Sequence, residues 1–134
     1  LAAQGNLVPV FAELPADLDT PLSAYLRLRP GPYSFLLESV EGGAVRGRYS
    51  AIGLKPDLIW RWFGARAEVN RQARQDLAAF EPCPGHALDE LRGLIERTRI
   101  ALPEGLPPMA AGLFGYLGYD MVRLMELKPE YVSR

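Results

Sequence analysis

Apolar residues recur along this chain in two rhythms, one at helical spacing and one in short, nearly continuous runs. Leu22, Tyr25 and Leu26, with Arg29 next in the series, fall at the three-and-four spacing of a helix. Thr20 is a capping residue, Pro21 suits the first helical position, and Pro30-Gly31-Pro32 stops the segment. A second helix is expected from about Ala87 to Arg99, with Leu88, Leu91, Leu94 or Ile95, and Thr98 as its buried stripe. A third is expected to begin over Tyr119 to Met125.

The short runs predict strands. Tyr33 to Ser39 is apolar and aromatic, Gly42-Gly43 supplies a turn, and Val45 to Ile52 is its return. Leu58 to Phe63, Gly64 and Ala65 to Asn70 make a second hairpin. Val8 to Leu14 is a short extended run, which Pro9 pushes toward a strand start or a sheet edge. Ala110 to Tyr116 is expected as a further strand, Leu102 to Pro108 as a linker, and the polar stretch Arg71 to Pro84 as a mobile loop. The sum is an α+β fold of about six strands: largely antiparallel sheet hairpins with helices packed on one face.

Composition narrows the class. The 134 residues are 49% hydrophobic and 23% charged, which is globular rather than disordered. A chain of this length buries roughly two-thirds of its unfolded surface, as one domain or a piece of a larger one. The expectation is a segment, because no initiator Met opens the chain and no closing element follows Val132-Ser133-Arg134. No apolar run approaches the ~20 residues of a membrane span, and Leu1 to Gly5 carry no basic leader region, so no membrane partner is expected. A net charge of −1 provides no global field for nucleic acid. The lone Cys83 excludes an internal disulfide and fits a reducing cytoplasm.

Most candidate chemistry has a simpler structural reading. Gly112-x-x-Gly115-x-x-Gly118 is neither the dinucleotide fingerprint nor a Walker A loop, and glycines also let a strand pass close to its neighbour. Cys83 and His86 have metal-ligand spacing, but the chain offers no other Cys or His. The pairs Asp17/Asp19 and Asp89/Glu90 lie at a turn and a helix start, where acidic residues serve as caps. One histidine and no nucleophile elbow rule out a catalytic triad. Arg46, Arg48, Arg61, Arg66, Arg71 and Arg74 interleave with Tyr49, Trp60 and Trp62, the composition of a single-strand nucleic-acid face. The charge balance opposes that reading, and no nucleic-acid partner is expected.

The first hairpin is more informative. Glu38, Ser39 and Arg48 bring a carboxylate, a hydroxyl and a guanidinium beside large apolar side chains, the ingredients of an amino-acid site. A hairpin with a solvated polar end has the same composition. In a regular strand Glu38 and Ser39 face opposite sides, so serving one ligand requires a bulge, a strand end or a backbone contact.

Tyr33 to Gly43, with Leu36-Leu37-Glu38-Ser39 at its centre, then Gly47-Arg48-Tyr49-Ser50 and Ile52-Gly53, resembles the N-terminal region of anthranilate synthase component I, the large subunit. Gly112 to Asp120 (GLFGYLGYD), followed by Val122-Arg123 and Glu126, resembles that family's second N-terminal hallmark, in the right order. The resemblance runs from about Val8 to Pro129.

The resemblance implies that residues 1–134 are the N-terminal regulatory and structural domain of a larger two-domain enzyme. That enzyme is a lyase of tryptophan biosynthesis, making anthranilate and pyruvate from chorismate and ammonia in the cytoplasm. Chorismate and Mg²⁺ would be held by a C-terminal chorismate-binding domain, and a glutamine amidotransferase subunit or domain would supply ammonia. The stretch alone would hold no catalytic residue, metal or cofactor, and would be inactive. It would carry half of a feedback site for the inhibitor L-tryptophan, with Glu38, Ser39 and Arg48 at the amino-acid end and Leu37 and Tyr49 lining the pocket. The alternatives are the corresponding domain of aminodeoxychorismate synthase, or a non-catalytic amino-acid-binding module.

Overall fold

A computed structural model of the chain describes residues 7–29, 31–38, 49–64 and 66–121. Helix α1 spans Pro21–Arg27 and starts where the Thr20-Pro21 pair predicts. A reciprocal capping box forms: the Ser23 backbone N–H donates to Thr20 Oγ1 at 3.1 Å, and the Thr20 N–H donates to Ser23 Oγ at 2.9 Å. None of its residues is buried. Capping therefore carries an unusual share of its stability. Thr20→Ala is expected to cost about 1 kcal/mol, read as roughly fivefold faster amide exchange at Ala24 and Leu28, whose N–H groups close its turns.

Strands β1 (Phe35–Glu38) and β2 (Ser50–Gly53) pair antiparallel, with Phe35 opposite Gly53, Leu36 opposite Ile52, Leu37 opposite Ala51 and Glu38 opposite Ser50. The Phe35 ring folds over Gly53, where any Cβ would run into it. The expected return strand is thus seen from Ser50 onward; Val45 to Arg48 and the Gly42-Gly43 turn lie outside the described residues. Strands β3 (Ile59–Phe63) and β4 (Arg66–Asn70) form the second expected hairpin. Gly64 makes its turn at φ +59°, a left-handed conformation that suits glycine.

The expectation of an irregular mobile loop over Arg71 to Pro84 is corrected at its end. Glu81–Cys83 forms β5, antiparallel to β4, giving a second sheet of order β3-β4-β5. Helix α2 then spans Ala87–Arg97. Ala87 and Leu94 are buried on it, Leu88 and Leu91 half-buried, and Ile95 exposed. The core gathers around this second sheet: Ile59, Ala67 and Val69 from the strands, Ala73 from the loop, Ala87 and Leu94 from α2, and Met121. The α1–β1–β2 unit is more open, leaving Leu22, Leu26 and Leu37 exposed.

Two expected strands are absent among the described residues. From the Val8 to Leu14 run, only the preceding Leu7 pairs, by one parallel bridge to Ile100. Ala110 to Tyr116 finds no ladder partner; instead Phe114 stacks on Phe35 with ring centroids 4.8 Å apart. One-turn 3₁₀ helices occur at Pro108–Ala110 and Tyr119–Met121, the latter where a third helix is expected to begin; residues 122–125 lie outside the described set. The described residues thus form five strands in antiparallel arrangements and two helices, an α+β fold.

Candidate ligand-binding site

The β1–β2 ladder decides which predicted site residues share a surface. Residues directly opposite in an antiparallel pair lie on one face, and residues two apart along a strand share it. Glu38, Ser50, Leu36 and Ile52 therefore occupy one face, and Leu37, Ala51, Phe35 and Gly53 the other. Helix α1 lies against the first face, where Ala16, Asp19, Thr20, Pro21, Ala24, Ser50 and Ile52 line an open concavity of about 230 Å³. Glu38 is the cross-strand partner of a residue in that lining.

Leu37 belongs to the far face, away from the concavity, with Phe35, on which Phe114 stacks. Tyr49 immediately precedes the ladder and is 43% exposed. Ser39 and Arg48 lie outside the described residues. The site thus joins Glu38 to a helix face that the sequence pattern does not single out. Thr20 and Pro21 are legible as a helix start, but nothing along the chain indicates that Pro21 and Ala24, three residues apart on one helix face, would stand over Ile52.

Polar groups at the edge of the concavity are held firmly. Ser23 Oγ donates to Asp19 Oδ1 at 3.0 Å, and Arg27 Nη1 reaches both carboxylate oxygens of Asp19, at 2.8 and 3.0 Å. The Asp19 carboxylate is thereby neutralised within its own element, leaving Glu38 as the acidic group of the ladder face.

The remaining candidates do not assemble into chemistry. On the second sheet, alternation places Arg61 with Glu68 on one face and Trp60 and Trp62 with Ala67 and Val69 on the other. Arg61 donates through Nε to Glu68 Oε2 at 2.9 Å and lies 3.6 Å from the Phe80 ring centroid. Its guanidinium is occupied, and the sequence neighbours that suggest a stacking surface point away from it. The Trp60 indole N–H is buried without a hydrogen-bond partner. Burial first, then the Glu90 carboxylate, pushes the Cys83 thiol above its ordinary value, so it stays a thiol near neutral pH. Among the described residues no three His, Cys, Asp or Glu side chains converge as metal ligands, so the magnesium implied by the resemblance finds no fitting donor set there. No helix among them is long and apolar enough to cross a membrane.

Fold and site define an α+β unit of antiparallel hairpins that holds a concavity between a helix and a two-stranded ladder. Its sequence is 57% identical over 121 residues to anthranilate synthase component 1 of Cereibacter sphaeroides, covering 90% of this chain and 24% of that protein. The same protein of Synechocystis sp. is 44% identical over 128 residues (94% and 24%), and that of Pseudomonas putida 40% over 131 (94% and 25%). No family model matches the chain, and no solved structure matches it. Over this stretch the chain is similar to the anthranilate synthase component 1 proteins, and it spans about a quarter of the length of these curated relatives.

Proposed function

We propose that residues 1–134 are the N-terminal regulatory domain of a longer polypeptide that converts chorismate and ammonia to anthranilate and pyruvate, and that they hold half of a feedback site for L-tryptophan. The observation that carries the site is the register: Glu38 stands opposite Ser50, on the ladder face where α1 leaves an apolar concavity. A free amino acid needs an acceptor for its ammonium, a donor for its carboxylate and a slot for its side chain. The Glu38 carboxylate serves the first need, and the space between Pro21, Ala24 and Ile52 the third. Ser39 and Arg48 complete the amino-acid end, with the guanidinium suited to the ligand carboxylate.

Chorismate and Mg²⁺ are assigned to the rest of the polypeptide, and ammonia to a glutamine amidotransferase partner. The shared name of the relatives supports the enzyme assignment. Tryptophan bridging this domain and the catalytic one would favour an arrangement that turns over chorismate poorly. To the extent that this arrangement also binds chorismate less tightly, linkage requires chorismate to weaken tryptophan binding by the same factor.

The test is an assay of the full-length protein with chorismate, Mg²⁺ and ammonia, with the product identified and the reaction repeated with L-tryptophan. Anthranilate that falls as tryptophan rises is the expected result, with residues 1–134 alone giving no turnover. Accumulation of 4-amino-4-deoxychorismate would reassign the enzyme. Anthranilate formation indifferent to tryptophan would remove the feedback site.

A further inference from the structure

The walls of the concavity differ in what their side chains already do. Ser50 and Ile52 are fixed in the ladder opposite Glu38 and Leu36. On the α1 side, Asp19 is tied to Ser23 and Arg27, Thr20 is committed to the capping box, and Pro21 opens the helix. The Ala24 side chain is a methyl group without such a duty, while its backbone is locked by its own N–H to the Thr20 carbonyl at 2.9 Å and by the Leu28 N–H to its carbonyl at 3.0 Å.

The helix that carries Ala24 is also anchored through the next residue. Tyr25 Oη and Ser34 Oγ share a hydrogen bond at 3.0 Å, and Ser34 Oγ lies 2.7 Å from the Gly31 carbonyl. These bonds tie α1 to the residue just before β1, which pairs with β2, and bulk at position 24 decides how much of the space between α1 and β2 stays open.

We propose that Ala24 sets the size of the ligand side chain this pocket accepts. The inference rests on the amino-acid reading of the site given above. At about 230 Å³ the space falls short of the ~300–1,000 Å³ of drug-sized sites; it is open to solvent on one side and has room for one amino-acid side chain laid between α1 and β2. Alanine leaves it open, and leucine at the same place extends into it from the helix face that Pro21 and Ala24 share. Leucine ranks beside alanine as a helix former, so α1 keeps its structure.

The experiment compares Ala24→Leu and Ala24→Ser with the wild type in the full-length protein. Inhibition by L-tryptophan, L-phenylalanine and L-valine is measured beside the chorismate kinetics, with direct binding by calorimetry. A24L is expected to raise the half-inhibiting tryptophan concentration about tenfold or more, as overpacking a filled site does. A24S follows the wild type, and valine is affected less than tryptophan. Should A24L impair turnover through misfolding, Ala24→Val makes the same comparison with a smaller side chain. A24L that is as tryptophan-sensitive as wild type overturns the role of Ala24 and leaves the tryptophan reading standing. A wild type that ignores tryptophan but responds to another amino acid, with A24L abolishing the response, keeps the role of Ala24 and removes tryptophan. A wild type that binds no amino acid overturns both.

Discussion

Glu38→Gln in the full-length protein is expected to raise the tryptophan concentration for half-inhibition about 10- to 150-fold and leave chorismate turnover without tryptophan unchanged. The figure is the usual worth of a hydrogen bond to a charged group, ~1.5–3 kcal/mol, at 1.4 kcal/mol per factor of ten. Glutamine keeps the length and shape of the side chain. It replaces one acceptor oxygen with an amide that donates, and so presents hydrogens to an ammonium that also only donates. Glu38 is exposed on the ladder, so the substitution disturbs no packing. Leu37→Ala is the internal contrast. The register puts Leu37 on the opposite face from the concavity, so its loss should shift the tryptophan response by less than about threefold, within the usual ~0.5 kcal/mol of a surface change. Steady-state inhibition curves for the two variants decide the matter. A tryptophan response lost in L37A and retained in E38Q would place the ligand on the other side of the sheet.

That contrast shows what one sequence can and cannot disclose. The Leu36-Leu37-Glu38-Ser39 run is legible as a strand carrying polar groups, and alternation alone says that neighbours along it face opposite ways. Which face meets a ligand depends on where α1 settles, and that contact joins residues about thirty positions apart, Ala24 and Ser50 to Ile52. Local signals served well where they were complete. Thr20-Pro21 marks the start of α1, and Gly64 marks the turn between two apolar runs. They failed where pairing is long-range. Glu81-Pro82-Cys83 has a proline at its centre, which argues against a strand until β5 is seen to lie at a sheet edge, where a missing N–H costs little. Ala110 to Tyr116 has the composition of a strand, yet among the described residues it is placed by an aromatic stack on Phe35, without a ladder. The arginine interleaved with the two tryptophans of β3 resembles a binding surface only in one dimension, since the pleat sends it to the opposite side from them.

Asn70→Ala is expected to remove about 2–4 kcal/mol from the second sheet, a large part of the ~5–15 kcal/mol that holds a typical domain. Asn70 ends β4 with no exposed surface. Its Nδ2 donates to the Asp76 carbonyl at 2.7 Å, and its Oδ1 accepts from the Gln72 N–H at 2.8 Å. One side chain thereby stands in for two backbone partners and closes the turn that returns the chain to β5. Asp76 continues the same device by accepting from the Ala78 N–H at 2.8 Å. Alanine would strand a donor and an acceptor in a part-buried setting, at ~1–3 kcal/mol each. Asn70→Asp separates the two roles, because a carboxylate still accepts from Gln72 but cannot donate to Asp76. Burial would raise the carboxyl of the new aspartate above its unfolded value of ~3.9. The stability of N70D should therefore be highest below that value, where the protonated group regains its donor, and fall as pH rises through the folded-state value. Hydrogen exchange in the full-length protein, read at residues 66–70 and at Glu81 and Cys83, gives the result directly. Exchange there should accelerate in N70A, and in N70D more at neutral than at acidic pH, while the tryptophan response of the protein that remains folded stays that of the wild type. Unchanged protection in N70A would mean that the ladder pairs from Ala67–Cys83 to Val69–Glu81 hold β5 without the asparagine.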